Sequence, residues 1–89
     1  MRKPINISEK AQLIRGIGAS SWFTINPEGA LYRIERFSLE GELECSRLFR
    51  LEPPTFDINS EYEFTYISHC KECTIIQNEL IYKFYTDEY

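Results

Sequence analysis

From residue 61 to residue 85 the chain reads EYEFTYISHCKECTIIQNELIYKFY, and apolar and polar positions trade places every second residue. That period places successive side chains on opposite faces of an extended backbone. The alternation breaks twice, at His-Cys-Lys-Glu-Cys and at Asn78-Glu79. It therefore predicts a three-stranded antiparallel meander. Its first strand covers 61–68, with Tyr62, Phe64 and Tyr66 inward, its second 73–77, and its third 80–85, with Leu80, Tyr82 and Phe84 together.

The first half carries a weaker version of the same signal. Residues 20–26, SSWFTIN, set Trp22 and Thr24 against Phe23 and Ile25, and Pro27-Glu28-Gly29 has turn chemistry. A second strand runs from 30 or 31 to 38, where the apolar set changes parity from Tyr32 and Ile34 to Phe37 and Leu39. A bulge at Glu35-Arg36 accounts for that switch. Leu39-Glu40-Gly41 fits a three-residue hairpin loop with its glycine in the left-handed region. The resulting register sets Ser38 opposite Glu42, Phe37 opposite Leu43 and Arg36 opposite Glu44. Strand 42–51 then places Leu43, Cys45, Phe49 and Leu51 on one face with Arg47 among them, and Pro53-Pro54 ends it.

Ahead of these strands, Asn6 or Ser8 can cap a helix, and Leu13, Ile14 and Ile17 recur at helical spacing up to Gly16 and Gly18. The expectation is a short helix over 8–16, the competing reading being an early strand over 12–17. Residues 1–7 read as a loose leader and 86–89 as an acidic tail. The predicted architecture is one all-β domain over 1–89: a six-stranded antiparallel meander over 20–85, curled into a small barrel or half-barrel, with the helix over one mouth. A two-layer arrangement with the helix on one face of the sheet is the second expectation.

Composition narrows the function classes. Hydrophobic residues make up 43% and aromatic residues 15% of the 89, enough for a packed core. The net charge is −4, and Arg33, Arg36, Arg47 and Arg50 alternate with Glu35, Glu42, Glu44 and Glu52. Neither nucleic acid nor an anionic membrane is the expected partner, since both select a continuous basic patch. Met1-Arg2-Lys3 is followed by no apolar run, and the three cysteines are an odd number, so the expectation is a cytoplasmic chain with reduced thiols.

Candidate chemistry is sparse. Cys70-x-x-Cys73, adjacent His69 and distant Cys45 comprise the residue types of a tetrahedral zinc site. A single CxxC is weak evidence, and strand alternation turns His69 away from Cys70. The plainer account makes the cysteines small hydrophobes and His69 a turn residue. A redox role fits poorly, because the pair caps a hairpin beside Glu72 rather than opening a helix. No carboxylate is placed to orient His69 for nucleophilic catalysis. Arg47, alone on an apolar face, needs a partner or an anion. With Tyr32, Tyr62, Tyr66 and Tyr82 it would line a ligand-binding interior, although a barrel of this size is ordinarily filled by its own side chains.

The segments AQLIRGIGASSWF and YEFTYISHCKECTIIQ, with the YR…EG…E hairpin between them, resemble a family of small uncharacterised bacterial proteins. The resemblance covers nearly the whole chain. It implies a free-standing domain and no assigned activity, so it transfers no functional residue. The expected function is non-enzymatic binding without a cofactor, to a protein partner or to a second copy as a homodimer. The motive is apolar side chains on second strand faces: Phe23, Ile67, Ile76, Ile81 and Tyr85. The alternatives are a small-ligand carrier using Arg47 and the tyrosines, and a domain stabilised by metal at the Cys/His set.

Overall fold

The computed structural model describes residues 3–52 and 54–86. Four strands form one antiparallel sheet: β1 (Gln12–Arg15), β2 (Ser20–Glu28), β3 (Leu31–Phe37) and β4 (Leu43–Phe49), in that order. Three more form a second: β5 (Glu63–Ile67), β6 (Glu72–Gln77) and β7 (Leu80–Tyr85). The described residues contain seven strands and no helix, and neither sheet closes into a barrel.

The predicted helix over 8–16 is replaced by β1, the competing reading. Ser8 does cap, but only a turn: its carbonyl accepts from Ala11 N at 3.0 Å and its hydroxyl from Lys10 N at 3.1 Å. The helical spacing had another cause. Leu13 pairs with Trp22 on the outer face of the sheet, while Ile14 packs into the core on the inner face. A strand that is apolar on both faces loses its alternation and imitates a helix. Residues 3–7, expected as a loose leader, lie against the same outer face. Ile7 and Ala11 bury beside Trp22, and Asn6 Nδ2 donates to Gly41 O at 2.9 Å.

The barrel fails to close for a definite reason. One margin of the two sheets is joined by a single parallel bridge, in which Ile17 N donates to Tyr66 O and Ser68 N to Ile17 O, both at 3.0 Å. At the other margin the described residues show no pairing of β4 with β7. Side chains close that side instead, with the Phe49 and Phe84 rings 4.6 Å apart. Between the layers lie Phe23, Ile34, Tyr66, Cys73, Ile75, Tyr82 and Phe84, all buried, with Phe56 and Leu51 sealing one end. Phe23, expected on an exposed second face, is 2% exposed and packs on Phe64 and Tyr66 at 4.9 and 5.0 Å. Its neighbour Trp22 takes the outer face, so β2 is buried on both sides.

The central hairpin follows its expected loop with one correction. Ser38 N donates to Glu42 O at 2.8 Å, Phe37 pairs with Leu43, and Gly41 adopts φ 93°. The register then slips, and Arg36 faces Cys45 rather than Glu44. The irregularity falls on β4 at Glu44, not on β3 at Glu35-Arg36. Phe37 needs no bulge to leave the core, because the Trp22 cluster buries it on the other face. Pro27 is likewise inside β2 rather than in a turn. It pairs with Tyr32 beyond the end of β1, where β2 has a bare edge and no ladder donor is required.

Candidate functional site

The second sheet has one face on the core and the other in solvent. On the solvent side, cross-strand register aligns Glu63, Ile76 and Ile81 in one row, Thr65, Thr74 and Lys83 in the next, and Ile67, Glu72 and Tyr85 in the third. Ile81 is 63% exposed and Tyr85 47%, while Ile67 and Ile76 are half-buried among their neighbours. Glu72 sits between the charged and aromatic groups: Lys83 Nζ lies 3.5 Å from its carboxylate and Tyr85 Oη donates to it at 3.2 Å. Accepting that bond and adding negative charge nearby, Glu72 holds the Tyr85 hydroxyl above the ordinary tyrosine range.

Four of the five apolar residues expected on second faces therefore share this surface, and Phe23 does not. The first sheet carries a comparable outer row, Leu13, Trp22, Phe37 and Leu43, but residues 3–11 pack on its central part. The described residues provide no such cover for β5–β7.

The residues expected to bind a ligand are not gathered together. Tyr32 donates to Phe56 O at 3.2 Å, and Tyr82 Oη lies 3.2 Å from Thr55 Oγ1. Tyr62 accepts from Gln12 Nε2 at 2.6 Å, and burial, partly offset by that bond, raises its pKa. Tyr66 is buried beside Phe23. Tyr62, Tyr66 and Tyr32 each line a different surface depression, of about 500, 220 and 250 Å³. Arg47 stacks over Phe49 at 5.5 Å and lines none of the three.

The cysteines and the histidine are similarly dispersed. Cys73 is fully buried between the sheets, and Cys45 Sγ donates to Thr86 O at 2.7 Å. Cys70 occupies the turn, 3.9 Å from Ile67 O, beside exposed His69. All three cysteines are thiols. Among the described residues, no group of three or more His, Cys, Asp or Glu is placed to hold a metal ion.

Arg36 is the residue that sequence reasoning passed over. It is 6% exposed, with Nη1 donating to Thr86 Oγ1 at 2.7 Å, Nε 3.4 Å from Glu44, and the guanidinium 5.8 Å from the Tyr66 ring. The parity of Tyr32 and Ile34 extends to Arg36, so uninterrupted alternation would have found it. The presumed bulge turned it outward.

Residues 11–87 match the DUF6695 C-terminal domain, a family of unknown function. The chain belongs to that family. The match takes in all seven strands and begins with buried Ala11, so the DUF6695 domain contains both sheets and most of the Trp22 cluster. No curated protein and no solved structure matches the chain.

Proposed function

We propose that this DUF6695 domain acts by binding rather than by catalysis, and that it docks a second copy of itself through the solvent face of β5–β7. The observation that carries the reading is the row pattern on that face. Ile76 and Ile81 adjoin Glu63, and Ile67 and Tyr85 flank Glu72, with Lys83 in the row between. A twofold interface brings each residue of a patch against the same patch on the other copy. This face holds apolar residues together with both signs of charge, so Lys83 of one copy can meet Glu63 of the other while the isoleucines cover each other.

The binding reading is also supported by the placement of His69 on an exposed turn and of Cys73 inside the core, which separates the commonest base from that nucleophile. We place the domain in a reducing compartment, the cytoplasm, consistent with three cysteines held as thiols. Sedimentation equilibrium over a concentration series tests the assembly. The expected result is a mass rising toward twice that of the 10.6 kDa chain. A strictly monomeric mass at the highest concentration rules it out.

A further inference from the structure

Among the described residues, one buried side-chain nitrogen or oxygen has no hydrogen-bond partner: the indole Nε1 of Trp22. A buried N–H left unmatched is destabilising, and an acceptor placed beside it would remove that cost. Trp22 lies on the outer face of the first sheet, where Ile7 and Ala11 bury against it and Leu13, Phe37 and Leu39 pack around them. Lys3 Nζ stands over the indole ring, 5.5 Å from its centre. Residues 3–11 thus give the ring an apolar neighbour and a cation, but give its N–H no acceptor.

The hold of this cover on the strands is slight. Among the described residues, a single hydrogen bond ties residues 3–10 to the rest of the chain beyond Ala11, from Asn6 Nδ2 to Gly41 O. Lys3 Nζ, Lys10 N and Ala11 N bond back to Glu9 O and to Ser8, within the segment itself. Ile5 is fully exposed, and ladder pairing starts only at Gln12. The matched family domain begins at Ala11, so residues 3–10 are not part of it.

We propose that residues 3–10 are a detachable cover, and that the Trp22 face beneath them docks a short basic and apolar segment of a partner protein. That segment sets a Lys or Arg over the indole ring, an apolar side chain in the seat of Ile7, and an acceptor oxygen against Nε1. The cover already supplies the first two, and the missing third is what lets a partner displace it. A net charge of −4 favours a basic occupant. Trp22 and the β5–β7 face belong to different sheets, so this docking and self-association stand or fall separately.

Trp22 is the only tryptophan, so its emission reads this face alone. In the full chain, Ile7→Ser should shift that emission to the red while the amide spectrum of β5–β7 stays folded, and Ile5→Ser should change nothing. A synthetic peptide of residues 1–11 should then restore the blue emission saturably, and about tenfold more weakly when it carries Ile7→Ser itself. The same peptide should do little to the unaltered chain, whose tethered cover acts at about millimolar effective concentration. In the unaltered chain the indole proton should exchange faster than the β2–β3 amides, through opening of the cover alone. Loss of the folded spectrum in Ile7→Ser would make the segment part of the core and overturn the proposal. So would unchanged emission, no saturation, equal binding of both peptides, or indole exchange only together with the β2–β3 amides. Emission that varies with chain concentration would assign the face to the same segment of a second copy and overturn the partner.

Discussion

Gln77 and Asp57 are bound to each other twice: Gln77 Oε1 accepts from Asp57 N at 2.9 Å and Gln77 Nε2 donates to Asp57 O at 2.8 Å. The same amide nitrogen also reaches Glu61 O at 3.2 Å. One buried side chain on β6 thus substitutes for a strand, satisfying the backbone of the connection that carries Phe56 into the core. Gln77→Leu keeps the volume but leaves those groups unmatched, at about 1–3 kcal/mol each where they are shielded from water. We expect a loss of about 2–3 kcal/mol. For a domain of this size that lowers the melting temperature by roughly 8–24 °C, measurable by circular dichroism.

A second prediction concerns the close approach of the chain at Gly16. A Cβ there would stand 2.6 Å from Ala19 O, just before β2, and 2.7 Å from Tyr66 O, on β5, both of them backbone atoms beside the bridge that joins the sheets. Gly16→Ala therefore has to displace the Ile17–Ile67 bridge. The expected cost is about 1–3 kcal/mol in urea unfolding, the range typical of overpacking. Faster amide exchange at Ile17 and Ser68 is expected with it.

Acid and alkaline limits follow from three groups. Asn59 N–H and the Ser60 hydroxyl both donate to the Asp57 carboxylate and hold its pKa below the usual value of 3.8. A carboxylate depressed in the folded state adds stability that is present above its unfolded pKa and is lost as pH falls through the folded one. Asp57→Asn should flatten the dependence of stability on pH below about 4. Tyr85 and Tyr62 are raised, the first chiefly by Glu72 and the second by burial. Their contribution is complete below the ordinary tyrosine pKa near 10 and disappears as pH rises through the higher folded values. Unfolding at fixed urea should grow easier above about pH 10, and less so in Tyr85→Phe.

The parts of this fold legible in the sequence are those governed by local chemistry. Asn78 and Glu79 turn with φ 50° and 68°, Gly41 with 93°, and the alternation between such turns predicted β5, β6 and β7 nearly to the residue. What escaped depends on a second layer. Leu13 and Ile14 look helical because each has its own cluster on opposite faces of β1. Phe23 looked exposable because nothing local says that Trp22 is the residue covered by 3–11. Arg47 seemed the buried cation, whereas the slip at Glu44 and the docking of Thr86 make Arg36 the enclosed one. Of the candidate docking face, Ile67, Ile76, Ile81 and Tyr85 were readable from parity alone. The tail at 87–89, Met1-Arg2 and Pro53 lie outside the described residues.

Ile81 separates docking from folding. It is 63% exposed on an outer row, so Ile81→Lys should move unfolding free energy by no more than about 0.5 kcal/mol. The same change puts a charge beside Ile76 in the apolar row of the proposed contact and should leave the chain monomeric in sedimentation. A variant that stays dimeric would move the interface elsewhere.

The most direct test of the docking face is an amide spectrum followed along a dilution series. Shifts that vary with concentration should concentrate on residues of the three outer rows, among them Ile67, Glu72, Ile76, Ile81 and Tyr85, and vanish in Ile81→Lys. Spectra identical at every concentration, or shifts gathered on β1–β4, would contradict it.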